Sequence, residues 1–138
     1  MGLSGVIDAM KGLTIAAALA LAIAVTGLPA HAETAPNNAP AYQPDLLRLS
    51  EILGAVQFLR ELCGTEEGTL WRDQMQALID SEQPDAEERA RMIDHFNRGY
   101  ESYRSVYRVC TDSARLAVER YLQEGAEIAA EIAARYGK

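Results

Sequence analysis

From Leu46 onward the apolar residues recur at steps of three and four, the spacing of one helix face turned toward a core. Leu46, Leu49, Ile52, Leu53, Val56, Leu59 and Leu62 predict a first helix that starts at Asp45 behind Pro44, runs to about Cys63 and stops at Gly64. A short second helix is expected from near Thr65, with Glu66 and Glu67 suited to its positive end, and it carries Trp71, Met75, Leu78 and Ile79. The run Asp80-Ser81-Glu82-Gln83-Pro84 breaks it. Asp85-Ala86-Glu87-Glu88 then has the form of a capping box, opening a third helix over Met92, Ile93, Phe96, Tyr100, Tyr103, Tyr107 and Cys110. Residues 85–110 join a helix start, an aromatic stripe and one of the two cysteines, which makes them the expected centre of the fold. A fourth helix is predicted from Thr111-Asp112-Ser113, burying Leu116, Ala117, Val118, Tyr121, Leu122, Ile128, Ile132 and Tyr136 before Gly137. No run shows the strict alternation of a strand. The expectation is an all-α domain, a small four-helix bundle of helical hairpins.

The pattern ahead of Leu46 is different. Residues 13–28 form an uncharged apolar run followed by Ala30-His31-Ala32, the small-x-small pattern of a signal-peptidase site, so cleavage is expected after Ala32. The run falls short of the ~20 apolar residues that span a bilayer and ends in Gly27 and Pro29, so no stable membrane span is expected once the signal is removed. Asp8 is unusual in the leading region of a signal, and Met10-Lys11 offers a second start that would make residues 1–9 an extension of the gene model; Met1 and Met10 both stay open. Residues 33–44, with Pro36, Pro40 and Pro44, read as a flexible Pro/Ala linker. The expected organisation is therefore a signal peptide at 1–32, a linker at 33–44 and an α-helical domain at 45–137, in a periplasmic protein.

Charge removes several classes of partner. The formal net charge is −7, with Lys+Arg 13 against Asp+Glu 20, which argues against phosphate-backbone binding and against adhesion to anionic lipid; no nucleic-acid partner is expected. Cys63 and Cys110, the two cysteines, invite a disulfide in an oxidising compartment; a redox pair lacks a CxxC spacing, and Glu61, Glu66 and Glu67 disfavour a thiolate at Cys63. Gly54, Gly99 and Gly125 fall inside helical patterns, where close crossing of helices would account for them; a pocket floor beside Gly99 is the alternative.

Candidate chemistry concentrates at two places. Trp71-Arg72-Asp73 and Asn97-Arg98-Gly99-Tyr100 each combine an aromatic ring, an arginine and a hydrogen-bonding residue, because an arginine stacked on a ring still presents its planar donors to a carboxylate. If their helices pack together, Trp71, Arg72, Asn97, Arg98 and Tyr100 form a polar-aromatic binding patch. The competing structural explanation is an ion pair of Arg98 with Asp73 or Asp94 clamped against the core, and Tyr100, Tyr103 and Tyr107 fit core positions with hydroxyls at the surface. No cofactor and no metal site is expected, since His95 is the one histidine beyond the signal and no CxxCH is present. A carboxylate pair such as Glu61 with Glu124 has no supporting spacing, and no enzymatic role is expected.

Leu46-Leu47-Arg48-Leu49-Ser50-Glu51-Ile52-Leu53-Gly54, Trp71-Arg72-Asp73-Gln74-Met75, Phe96-Asn97-Arg98-Gly99-Tyr100 and Tyr121-Leu122-Gln123-Glu124-Gly125, in that order and with cysteines at Cys63 and Cys110, resemble an uncharacterised exported two-cysteine family of alphaproteobacteria, a domain of unknown function. The resemblance covers nearly all of residues 42–137. It implies a periplasmic, disulfide-bonded helical protein and carries no catalytic positions. The resulting expectation is a non-catalytic periplasmic interaction module with an envelope protein as partner, envelope growth or division being the first context to search. The alternative is a periplasmic binding protein or enzyme for a small anionic or glycan ligand, with Arg72 and Arg98 as anion clamps.

Overall fold

The computed structural model describes residues 39–137, and the expected export signal and the linker up to position 38 lie outside the described residues. Four α-helices follow in order, α1 (Gln43–Leu62), α2 (Leu70–Glu82), α3 (Ala86–Arg104) and α4 (Asp112–Tyr136), and there is no strand among the described residues. None of these helices is long and apolar enough to cross a membrane.

The centre of the bundle is α1, not the 85–110 stretch. α2, α3 and α4 all pack on α1, whereas α3 and α4 meet one another only through side chains, their backbones staying apart. The reason lies in composition. Ile52, Leu53, Gly54, Ala55, Val56, Gln57, Phe58 and Leu59 are buried in succession, so this half of α1 is enclosed on every side rather than on one face. Of the buried polar residues of α1, Ser50 donates its hydroxyl to the Leu46 carbonyl at 2.8 Å, and Gln57 donates its amide N–H to the Gly68 carbonyl at 3.2 Å while its buried Oε1 has no hydrogen-bond partner among the described residues. One core cluster joins Leu53 to Met75, Ile79 and Met92, and a second joins Phe58 and Leu59 to Ala114 and Val118.

The predicted glycine contacts are real at the α1–α3 crossing. A Cβ built on Gly54 would overlap the Phe96 carbonyl, and one built on Gly99 would overlap the Glu51 carbonyl, so each glycine lets the other helix's backbone into the space of a side chain. Gly125 differs, because a Cβ there would meet only the Ile52 Cγ2 at 3.4 Å and the Leu49 Cδ1 at 3.6 Å, ordinary van der Waals contact.

Boundaries depart from expectation at three places. α1 begins at Gln43, ahead of Asp45, because Pro44 fits the first turn of a helix where no amide hydrogen is needed. α2 begins at Leu70 rather than near Thr65, since Gly64 and Gly68 both take positive φ (76° and 55°) and hold the intervening residues as a loop. Glu67 is spent in that loop, paired with Arg60 and accepting the Trp71 indole N–H at 2.7 Å. α3 ends at Arg104, so Tyr107 and Cys110 lie in the α3–α4 connection instead of on the helix.

Both predicted caps form. The Asp85 side chain accepts from the Glu88 amide at 2.8 Å and that of Thr111 from the Ala114 amide at 3.1 Å. Replacing Thr111 by Ala should therefore lower stability by about 1 kcal/mol, read as a shift of the urea midpoint with an unchanged slope. Cys63, the C-cap of α1, is bonded to Cys110 with Cα atoms 4.8 Å apart, tying the end of the central helix to the start of α4.

Candidate functional site

Since the backbones of α3 and α4 both lean on α1 and stay apart from one another, a cleft runs between them with α1 as its floor. Tyrosines fill its base. The Tyr103 hydroxyl donates to the Tyr121 hydroxyl at 2.9 Å, spanning from α3 to α4. The Tyr103 ring meets Tyr121 edge-on at 5.7 Å and lies nearly parallel to Tyr107 at 6.0 Å. Burial, then the hydrogen bond to Tyr121, raises the Tyr103 phenol well above its ordinary pKa, so it keeps its proton at any physiological pH.

Two cavities share these three rings. One of about 460 Å³ is bounded by Arg48, Ser113, Leu116, Arg120 and Glu124, and the other, of about 370 Å³, by Glu51, Ala55, Gly99, Ser102 and Val106. The first end is fixed electrostatically. Arg48 donates to both carboxylate oxygens of Glu124, at 2.7 and 3.0 Å, and to Glu51 at 3.0 Å, while its guanidinium carbon sits 5.4 Å from the Tyr121 ring centroid. Such a two-pronged pair holds α4 against α1 with defined geometry. The rim is apolar: Val106 is 70% exposed, Leu116 46%, and Val109 in the adjoining connection 67%.

The five residues expected to form one patch are divided. Trp71 packs its ring on the Leu53, Met75, Ile79 and Met92 cluster, and its indole N–H is taken by Glu67. Tyr100 lies edge-on to Phe58 at 5.4 Å, with its hydroxyl 3.3 Å from Glu61. Burial and then the Glu61 carboxylate raise the Tyr100 phenol, while Arg72 and Arg104 pull the other way, which places Arg72 within electrostatic reach of Tyr100. Asn97 and Arg98 are exposed. Asn97 is one turn before Tyr100, but Arg98 is about 200° around the helix from it, since each residue advances about 100°. The Arg98 side chain forms no ion pair among the described residues, so neither Asp73 nor Asp94 clamps it. Glu61 and Glu124 likewise serve separate partners, Tyr100 and Arg48.

Sequence reasoning did not bring Arg48, Arg120, Tyr121 and Leu116 together with Tyr103 and Tyr107. The usable signal was the pair Tyr103 and Tyr107 four residues apart, followed by a cysteine pin that must bring α4 back alongside.

A protein-family model described as "Protein of unknown function (DUF2385)" matches residues 41–136. No curated protein and no solved structure matches the chain.

Proposed function

We propose, for a chain that belongs to the DUF2385 family of proteins of unknown function, a non-catalytic role as a periplasmic interaction module of the cell envelope, in an alphaproteobacterial setting and tied to envelope growth or division. The observation that carries this reading is the tyrosine cleft with its aliphatic rim: Tyr103, Tyr107 and Tyr121 beside Arg120, flanked by exposed Val106 and Leu116. Tyrosine and arginine next to solvent-facing aliphatic groups make the composition typical of protein-interface centres. The Cys63–Cys110 bridge supports an oxidising compartment, and it leaves no thiol to act as a nucleophile.

The alternative, a small anionic or glycan ligand clamped by Arg72 and Arg98, requires both arginines beside Tyr100 and Trp71. Arg98 projects from a different side of α3 and so favours the interaction module.

The test is in-cell photocrosslinking with a benzophenone amino acid placed at Val106 and, as a control, at Ala77 on the exposed part of α2. The expected result is one defined envelope protein captured from Val106 and absent from Ala77. Equal, diffuse capture from both positions would contradict the proposal.

A further inference from the structure

In the larger cavity, acceptors and donors are unevenly used. Both oxygens of Glu124 accept from Arg48, and Glu51 accepts from the same guanidinium, so the carboxylates of the cleft are already matched. The remaining donors are not. The Arg120 guanidinium and the hydroxyls of Tyr107 and Ser113 line the cavity and make no side-chain hydrogen bond or ion pair among the described residues. A planar guanidinium with no partner of its own, in a cavity that also holds hydroxyl donors, can recognise a carboxylate. Beside them, the Tyr107 ring and the exposed side chains of Leu116 and Val106 offer apolar contact.

The surrounding arginines are only partly matched. Arg104 is paired with Glu101 and Arg115 with Asp112, whereas Arg108 and Arg120 make no ion pair among the described residues and stand as unmatched cations in a protein of net charge −7. The overall charge repels a polyanion such as nucleic acid or an anionic lipid surface, whereas a single carboxylate carried by a neighbouring chain meets the unpaired Arg120, the nearby Glu124 being already matched by Arg48.

We infer that the α3–α4 cleft receives an acidic and aliphatic segment of a partner protein, with an Asp or Glu carboxylate on Arg120 and adjacent aliphatic side chains over Tyr107, Leu116 and Val106. This rests on the interaction-module reading and specifies the chemistry of the partner. Rim apolar contacts supply affinity, and the Arg120 pair fixes register and excludes basic segments.

The experiment selects a random displayed peptide library against the purified protein with its disulfide intact, then measures synthetic copies of the enriched peptides by calorimetry and amide NMR shifts. Expected are sequences with Asp or Glu next to Leu, Ile, Val or Phe, and shifts confined to residues around Tyr107, Leu116 and Arg120. Arg120→Glu should weaken binding on the order of tenfold or more, and exchanging the peptide acid for Lys should restore it in that variant alone. Enrichment without acids, shifts elsewhere, equal binding to Arg120→Glu, or no enriched peptide would each overturn the inference. A carboxylated saccharide that shifts the same amides while no peptide does would also overturn it. Capture of an envelope protein from Val106 through a segment lacking acids removes this inference and leaves the interaction module standing. Absence of both capture and peptide binding removes both.

Discussion

Gly99→Ala should destabilise the domain by about 3 kcal/mol or more, although the same change in an exposed helix interior stabilises by about 1 kcal/mol. The sign reverses because the new methyl would occupy the position of the Glu51 carbonyl, and backbone cannot rotate away as a side chain can. Relief requires α1 and α3 to move apart, which opens the contact between Leu53 and Met92 in the first core cluster. Gly99→Leu should prevent folding altogether. Gly125→Ala is the matched control, for its methyl meets only flexible Ile52 and Leu49 side chains and should be neutral or slightly stabilising. Urea melts of the two alanine variants measure this directly. Equal midpoints for Gly99→Ala and wild type would refute the close crossing.

Loss of the disulfide has the second large effect expected. Cys63 and Cys110 are 47 residues apart in sequence, and closing a loop of that length stabilises by about 4 kcal/mol in the chain-entropy model. For a domain of this size that corresponds to a drop in Tm of roughly 15–30 °C in Cys110→Ser. The same drop should follow reduction of the wild-type protein, while Cys110→Ser itself should no longer respond to reductant. The consequence extends to the cleft. The bridge holds the connection carrying Val106, Tyr107 and Val109 against the end of α1, so Tyr107 amide shifts should disperse less in the variant below its Tm. A Tm that is the same under oxidising and reducing conditions would show that the bridge contributes no stability.

Helix identity was legible in the sequence because it depends on local pattern. The apolar spacing along α1 and α4 and the Asp85 and Thr111 caps are each set by residues within a few positions of one another, whereas Gly54 and Gly99 signal a close crossing without showing that the backbone each meets lies on the other's helix. The centre of the fold was not legible in that way. Periodicity shows one apolar face of α1, whereas Ser50, Gly54 and Gln57 become buried only through a backbone hydrogen bond, a helix crossing and a loop carbonyl that the pattern does not contain. The candidate patch had the same difficulty in reverse. Arg98 and Tyr100 are neighbours in sequence and lie on different sides of α3, while Tyr103 and Tyr121 are 18 residues apart and share a hydrogen bond. Adjacency along a helix scatters side chains around it, and packing of separate helices collects them.

The most direct test of the proposed interaction surface compares two flanks in one assay. Tagged protein is crosslinked in cells and its envelope partner quantified for Tyr107→Arg, Leu116→Arg, Arg72→Ala and Arg98→Ala, each first shown to be folded by its circular dichroism and Tm. Capture lost in Tyr107→Arg and Leu116→Arg but retained in Arg72→Ala and Arg98→Ala is the predicted result. Capture lost in the Arg72 or Arg98 variants and retained in both cleft variants would contradict the assignment and return the contact surface to the α2–α3 flank.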